Sequence, residues 1–352
     1  MRRRSGAFAV ICIGALLVAT AVASTRTSDS ESALSPCPSP TGVSIAQRVR
    51  VPGPPGFLLR ADDDLWVAIA ASRPGGRGAV ARVDARSGRV QRTFRLPVDP
   101  YQLALGFGSL WVTGATNVQA YRGLLRVDPR TGRVVRVVRA SRPPFGSKVA
   151  TTSDAVWIGG ADVYPQGHSE LAGVRFAYKI DPRSNAVVRR VRLPGDATVI
   201  ALVGDGRRIW SVGWWGVVQL SASGRVLFRQ PIDGSGWGLA VTRGVVWIAQ
   251  PFFGKRPVRR QDKQARRLLR FATSGPPRRT VVELPFHPGG VSAAGGVVWV
   301  GGNGKLVRLR AAETPPTVTP VALDLPSAVY HIAFPGGVWV SERHPNRVTK
   351  IC

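Results

Sequence analysis

The chain of 352 residues is poor in the side chains that most often carry chemistry, with three cysteines, four histidines and one methionine. The histidines, His168, His287, His331 and His344, are scattered without the spacing typical of metal ligands. The chain also lacks a nucleophile elbow, a phosphate-binding loop and a dinucleotide-binding fingerprint. Beyond the N-terminal segment, no stretch has the periodicity of an amphipathic helix. We therefore expect no catalytic residue, no metal ion and no cofactor, in a fold built of strands.

Acidic residues are also few, since 20 Asp and Glu stand against 49 Lys and Arg, a formal net charge of +29. Of the basic residues, 43 are arginines. Either they are spread over a solvated surface, or they attract anionic polymers such as nucleic acid, cell-wall phosphate polymers or acidic lipid headgroups. Because arginines occur in every part of the chain, the sequence favours the first interpretation and predicts no specific nucleic-acid partner.

The first 23 residues have the layout of a secretory signal peptide. Arginines follow Met1, residues 7–23 are mostly apolar, and Ala21-Val22-Ala23 forms a small-residue cleavage site. An uncleaved membrane anchor is the alternative, because the apolar run approaches spanning length. Residues 24–42 form a Ser/Thr/Pro-rich linker and residues 43–352 the folded domain. The sequence thus predicts a secreted or otherwise extracytoplasmic protein.

One phrase, an apolar dipeptide or tripeptide containing tryptophan, recurs along the domain. Its spacing averages about 45 residues, the length of one four-stranded propeller blade. Each unit has a short apolar strand, the Trp strand, and two further strands joined by a tight turn. The sequence therefore predicts an all-β, seven-bladed β-propeller. The repeat tryptophans are Trp66, Trp111, Trp157, Trp210, Trp247, Trp299 and Trp339.

The turn between the third and fourth strands has its own signature, clearest in the phrase Asp-Pro-Arg-Thr-Gly. In these turns Asp128 and Asp181 are positioned to accept hydrogen bonds from backbone N–H groups, and Gly132 and Asn185 tolerate positive φ. We therefore interpret these aspartates as turn-forming rather than catalytic residues.

The last unit stops after its third strand, and residues 44–52 supply a matching fourth strand. The final blade is therefore predicted to be closed by the N-terminal strand. Cys12 lies within the apolar leader, which leaves Cys37 and Cys352 near the two ends of the domain. Outside the cytosol such a pair is most simply a disulfide, which would cross-link the ring covalently where it closes.

With its Trp-Val, Arg-Val-Asp-Pro and Thr-Gly-Arg-Val phrases, the chain resembles the secreted bacterial propellers related to streptogramin (virginiamycin B) lyases and the YVTN-repeat proteins. The likeness covers nearly all of residues 44–352. The resemblance implies a propeller fold and a metal-assisted elimination that opens a cyclic lactone. The family's histidines and glutamate lie at the starts of innermost strands, in a Pro-His-Gly-Ile type phrase.

At the matching positions the lyase residues are missing. The segment Pro288-Gly289-Gly290-Val291 has glycine in place of the histidine, and the last blade has Tyr330 there, followed by His331. A rearranged site that uses His287, His331 or Glu342 through a shifted register is the remaining route to lyase-like activity.

We place a binding site at the channel mouth over blades three to five, where loops before the first strand and after the Trp strand meet. Aromatic rings beside basic groups suit stacking on sugars, bases or flat ligands together with anion capture. The competing interpretation is that these rings pack between blades or plug the channel, and that the basic run is a solvated loop. The ligand-binding candidates are Tyr101, Trp214, Trp215, Trp237, Phe252, Phe253, Tyr330 and His331. The anion-binding candidates are Lys255, Arg256, Arg259, Arg260, Arg266 and Arg267.

The sequence therefore favours a non-enzymatic, monomeric propeller that binds a small molecule, glycan or envelope component. The alternatives are the rearranged lyase-like enzyme and a binder of anionic envelope polymers. A weaker hypothesis is a cation held by Asp99, Asp196 and Asp233, which precede first strands on the same face.

Overall fold

The computed structural model describes Cys37 and residues 43–73, 76–116, 119–120, 123–139, 148–159, 176–194, 199–242, 244–253, 263–273, 279–323, 325 and 328–352. The predicted leader and all of the predicted linker except Cys37 lie outside these residues, so the predicted domain boundaries stay predictions. No helix in this described part of the chain is long and apolar enough to cross a membrane.

The described chain is all-β and forms seven four-stranded antiparallel blades, which confirms the predicted β-propeller. Blade 1 consists of β2 (Pro55–Ala61), β3 (Asp64–Ile69), β4 (Ala79–Asp84) and β5 (Val90–Arg95). Blade 2 consists of β6 (Asp99–Gly106), β7 (Ser109–Thr116), β9 (Gly123–Val127) and β10 (Val134–Arg139), with the short β8 (Gln119–Ala120) paired to β7. Blade 3 consists of β11 (Lys148–Thr151), β12 (Val156–Gly159), β13 (Phe176–Asp181) and β14 (Ala186–Arg192).

Blades 4 and 5 share one seven-stranded sheet because Ser235 pairs with Phe252 between them. Blade 4 consists of β15 (Ala201–Asp205), β16 (Arg208–Leu220) and β17 (Val226–Ser235). The first half of β16 pairs with β15 and the second half with β17, so this long run supplies both middle strands. Blade 5 consists of β18 (Gly238–Thr242), β19 (Val245–Phe253), β20 (Lys263–Ala272) and β21 (Arg279–Glu283).

Blade 6 consists of β22 (Gly290–Ala294), β23 (Val297–Gly302), β24 (Lys305–Arg310) and β25 (Thr319–Val321). Blade 7 consists of β26 (Ala328–Phe334), β27 (Gly337–Glu342), β28 (Arg347–Ile351) and, as its outer strand, β1 (Ile45–Arg50). The pairing of β1 with β28 confirms the predicted closure of the ring by the N-terminal strand. A disulfide joins Cys37 to Cys352 across a sequence separation of 315 residues, as predicted. This bond indicates an oxidising, extracytoplasmic environment.

The repeat tryptophans fill the spaces between blades, each at most 2% exposed. Each one lies in a core cluster shared with the next blade. For example, Trp66 packs with Leu110 and Val112 of blade 2. The pattern closes around the ring, since Trp339 packs with Leu58 and Leu65 of blade 1. Large flat side chains are needed here because radially arranged sheets leave wedge-shaped gaps that must be filled at high density.

The predicted turn chemistry is also present. Oδ1 of Asp128 accepts a hydrogen bond of 2.8 Å from the Arg130 N–H, and Asp181 accepts the equivalent bond from Arg183. Gly132 has φ of 75° and Asn185 φ of 58°. These backbone hydrogen bonds lower the pKa of both carboxyl groups, the largest cause at Asp181 being the bond from the Ser184 hydroxyl. The aspartates are therefore structural, as the sequence indicates.

Candidate functional site

The innermost strands of all seven blades surround a central cavity of about 760 Å³. Its lining runs from residues just before these strands into the middle of the strands. Examples are Trp237 immediately before β18, Lys148 at the start of β11 and Tyr101 within β6. The cavity therefore extends inward from the end of the channel at which the innermost strands begin.

Three large aromatic side chains in this cavity remain exposed, Tyr101 at 44%, Trp237 at 46% and Tyr330 at 41%. They belong to blades 2, 5 and 7, so the rings stand around the mouth rather than in one cluster. Phe57 of blade 1 makes an edge-on contact with Tyr330, with the ring centroids 6.2 Å apart. The hydroxyl of Ser341 accepts a hydrogen bond of 3.0 Å from the Tyr330 N–H, which holds the backbone below that ring.

Polar groups in the lining are few. Lys148 is the one charged side chain that lines the cavity among the residues the structure describes, and no described carboxylate lines it. Gln102 donates a hydrogen bond of 3.1 Å from its amide to the carbonyl of Val149, which links blades 2 and 3. The buried hydroxyl of Ser292 has no described hydrogen-bond partner. An aromatic lining with a few polar groups is typical of sites for small organic ligands.

His331 lies at the wall between blades 6 and 7. Its Nε2–H donates a hydrogen bond of 3.1 Å to the carbonyl of Trp299, because a carbonyl can only accept. The ring fits only because glycines face it, since a Cβ on Gly301 would lie 2.9 Å from Nδ1 and one on Gly290 3.2 Å from Cε1. The imidazole is enclosed although the residue keeps some exposure toward the cavity. Burial lowers the pKa of His331 to about 4, so the ring is neutral at neutral pH.

The remaining lyase candidates are not brought together with His331. Glu342 is fully buried in blade 7, where its oxygens accept hydrogen bonds of 2.8 Å from Nε and Nη2 of Arg347. A further bond comes from the Thr349 hydroxyl. Desolvation would raise the pKa of this carboxyl, but these bonds outweigh it and lower the pKa. Glu342 thus serves as a structural anion. Among the described residues, no group of three His, Cys, Asp or Glu side chains could hold a metal.

Two of the three aspartates considered for a cation have other partners. Oδ1 of Asp99 accepts a hydrogen bond of 2.9 Å from the Ala71 N–H, and burial raises the pKa of this carboxyl. Asp233 lies 3.6 Å from Arg279, and Asp196 lies outside the described residues.

The structure describes the side chains of only some of the predicted site residues. Tyr101, Trp237, Tyr330 and His331 line one cavity. These four residues come from blades 2, 5 and 7, so they are not confined to blades three to five. Trp214, Trp215, Phe252 and Phe253 lie in strands β16 and β19, but the structure does not describe their side chains. In the basic run, Lys255, Arg256, Arg259 and Arg260 lie outside the described residues. Arg266 is exposed, and Arg267 forms an ion pair of 3.1 Å with Glu283.

Among the lining residues that sequence reasoning missed are Phe57, Gln102 and Lys148. Each follows directly after the position matched to the lyase histidine, which holds Gly56, Tyr101 and Ser147 in these blades. The same count of repeat positions, extended by one residue, would have found them.

No protein-family model and no curated protein matches the chain. Solved structures do share its fold. A chain of hydrazine synthase from Kuenenia stuttgartiensis has a TM-score of 0.66 at 14% identity, covering 87% of this chain and 97% of that one. The Neurospora crassa Pan2 WD40 domain has a TM-score of 0.66 at 11% identity, covering 88% of this chain and 94% of that one. BamB from Moraxella catarrhalis has a TM-score of 0.57 at 12% identity, covering 88% of this chain and 97% of that one. At these identities the likeness shows the fold alone, so the chain is a seven-bladed β-propeller for which no specific relation to streptogramin lyases is shown.

Proposed function

We propose that this chain is a secreted, non-enzymatic β-propeller that binds a ring-shaped organic ligand, such as a sugar unit, at the mouth of its central channel. The observation that supports this most is the exposure of Tyr101, Trp237 and Tyr330 around one cavity of about 760 Å³. Partly exposed aromatic rings at a concave surface stack well on sugar and aromatic rings. Gln102 adds a side-chain amide to the lining of the same cavity.

Saturable binding at this mouth is the test. Glycan fragments released from the organism's own cell envelope are titrated into the purified protein, and heat and Trp fluorescence are recorded. We expect Trp237→Ala and Tyr330→Ala each to weaken the association about tenfold, because one stacking contact contributes roughly 1–2 kcal/mol. The matched controls are Val135→Ala and Val188→Ala, which remove exposed apolar side chains from outer strands. Equal losses in the controls, or no saturable binding of any fragment, would contradict the proposal.

Lyase-like turnover is the competing activity, and the one observation in its favour is a neutral imidazole at the channel wall, that of His331. The test is whether a cyclic lactone antibiotic is opened by the protein and whether His331→Asn abolishes the opening. We expect no turnover by either protein. Turnover that is lost in the variant would replace the binding proposal by an enzymatic one.

Export is a separate part of the proposal. We expect the mature protein from the producing cells to begin at Ser24, which N-terminal sequencing measures. A mature chain that still carries the apolar leader would instead indicate an anchored protein.

A further inference from the structure

The strand register places four arginines at corresponding positions of four blades. In blade 1 the cross-strand row Pro55, Ile69, Ala79 and Arg95 runs from the start of the innermost strand to the end of the outer strand. In blade 7 the equivalent row is Ala328, Glu342, Arg347 and Arg50. The cavity mouth lies where the innermost strands begin. The outer-strand arginines of these rows are therefore on the same end of the propeller as the mouth.

Blades 2 and 3 continue the pattern. Arg139 pairs with Gly123 and ends β10, and Arg192 pairs with Phe176 and ends β14. The chain order of the blades therefore places Arg50, Arg95, Arg139 and Arg192 on blades 7, 1, 2 and 3, four neighbours in the ring. We name these four residues the arginine arc.

All four side chains of the arginine arc are exposed, and none has a hydrogen bond or ion pair to a described residue. This separates them from arginines with a structural task, such as Arg126, whose guanidinium bonds the next blade. At this end of blades 7, 1 and 2 the described carboxylates nearest in register are Glu342 and Asp99, and both already have partners. The charge of the arc is therefore available to an outside anion.

The rest of the ring lacks this feature. The corresponding places on blades 4, 5 and 6 hold Pro231, Glu283 and Ala322. Among the described outer-strand positions of this row, arginine therefore occupies one continuous sector of four blades. A flexible polyanion can follow this sector of the rim and meet the four arginines in turn.

From this placement we propose that the arginine arc is a binding site for a linear polyol-phosphate polymer of the cell envelope. A guanidinium binds phosphate through two parallel N–H···O bonds, and a chain with one phosphodiester per repeat offers successive anions to successive blades. The interaction is separate from the aromatic cavity and does not depend on the proposed function. It requires no covalent step.

The test is the affinity of the purified full chain for a synthetic glycerol-phosphate dodecamer across a salt series. The arc variant carries Arg50→Gln, Arg95→Gln, Arg139→Gln and Arg192→Gln. The control variant carries Arg89→Gln, Arg133→Gln, Arg183→Gln and Arg225→Gln, which remove the same charge from exposed side chains in the turns at the opposite end of blades 1 to 4. Thermal unfolding checks that both variants fold.

We expect the arc variant to lose at least tenfold in affinity and the control variant less than threefold, at about 0.1 M salt where distant charges are screened. The slope of log K against log salt should fall by about 3 in the arc variant, because each of four phosphate contacts contributes about 0.7. Equal losses in the two variants would mean that only net charge acts and would overturn the proposal. Tighter binding to phosphatidylglycerol vesicles or to oligothymidylate than to the dodecamer would also overturn the proposal. An absence of dodecamer binding at low salt would overturn it too.

Discussion

At the scale of single residues, many of the basic side chains join neighbouring blades. The side chain of the third strand opposite the repeat tryptophan is repeatedly basic and covers the indole ring, as with Arg82 over Trp66 and Arg126 over Trp111. Two of these groups also donate to turn carbonyls of the next blade, Arg126 to Pro182 at 2.7 Å and Lys179 to Ala222 at 2.6 Å. Part of the arginine excess is therefore explained by structure.

Arg126 offers a direct test of this role. Its guanidinium donates to the Ser109 hydroxyl, to the Pro182 carbonyl at 2.7 Å and to Oδ1 of Asn185 at 2.9 Å. We expect Arg126→Met to lower the free energy of unfolding by about 2–3 kcal/mol, because a charged donor is lost from partly buried acceptors. Urea unfolding measures it, with Arg133→Met as the control at an exposed turn position. A loss no larger than that of the control would show that the bonds contribute nothing.

His331 predicts a dependence of stability on pH. The pKa of its imidazole is about 4 in the folded state against 6.5 ordinarily, so below pH 6.5 the unfolded chain binds the proton more readily. Stability should therefore fall as the pH drops from 6.5 toward 4, at up to about 1.4 kcal/mol per pH unit.

The measurement is urea unfolding of the native protein and of His331→Asn at several pH values. The difference in the free energy of unfolding between the two proteins should stay constant from pH 7 to 8, where both side chains are neutral. It should shrink or reverse toward acid pH, because folding lowers the pKa of His331 from 6.5 to about 4. Parallel curves across the whole range would contradict the assignment.

At the scale of elements, the turn between the third and fourth strands connects blades as well as strands. Its glycine packs against the outer strand of the preceding blade, since a Cβ on Gly132 would overlap the Phe94 ring and one on Gly224 would meet Val191 at 2.5 Å. Gly132 thus has two reasons to be glycine, its φ of 75° and this close approach.

The two reasons can be separated with a second glycine. Gly206 has φ of 57° but no atom within 4 Å of the place its Cβ would take. We expect Gly206→Ala to cost about 1 kcal/mol from backbone strain alone, and Gly132→Ala a further 1–3 kcal/mol from overpacking. Chemical denaturation of both variants measures the two costs. Equal costs would mean that the turn glycine has no packing role.

At the scale of the whole molecule, the ring closes by joining the chain ends. Strand β1 completes blade 7, and the Cys37–Cys352 disulfide reinforces the same join. Because the strand pairing and the core cluster around Trp339 remain without the disulfide, the fold should survive its removal.

The double variant Cys37→Ser, Cys352→Ser should form the same propeller but unfold at a lower denaturant concentration. A loop of 315 residues predicts a loss of up to about 6 kcal/mol from loop-closure entropy. Circular dichroism and urea unfolding of the variant and of the oxidised protein measure the difference. Two free thiols in the denatured native protein, or an unchanged midpoint, would contradict the prediction.

Blade number, turn chemistry, ring closure and the disulfide follow from the sequence because each depends on a repeated local pattern or on counting strands. The tryptophan at each blade interface and the aspartate in the tight turns of blades 1 to 3 have the same physical task every time they occur, so repetition alone reveals them. The repeat count also identified Tyr101, Trp237 and Tyr330 as residues of the channel mouth.

Only the tertiary structure decided which of these residues share a cavity and which charges are already engaged. The glycines around His331 come from blade 6, so the enclosure that lowers its pKa exists only when blades 6 and 7 meet. The bonds that occupy Glu342 and Arg126 likewise join different strands or blades. The arginine arc is spread over four distant segments of sequence, and the cross-strand register places them at one end of the ring. Burial, pairing and register arise between elements, and a pattern read along the chain records none of them.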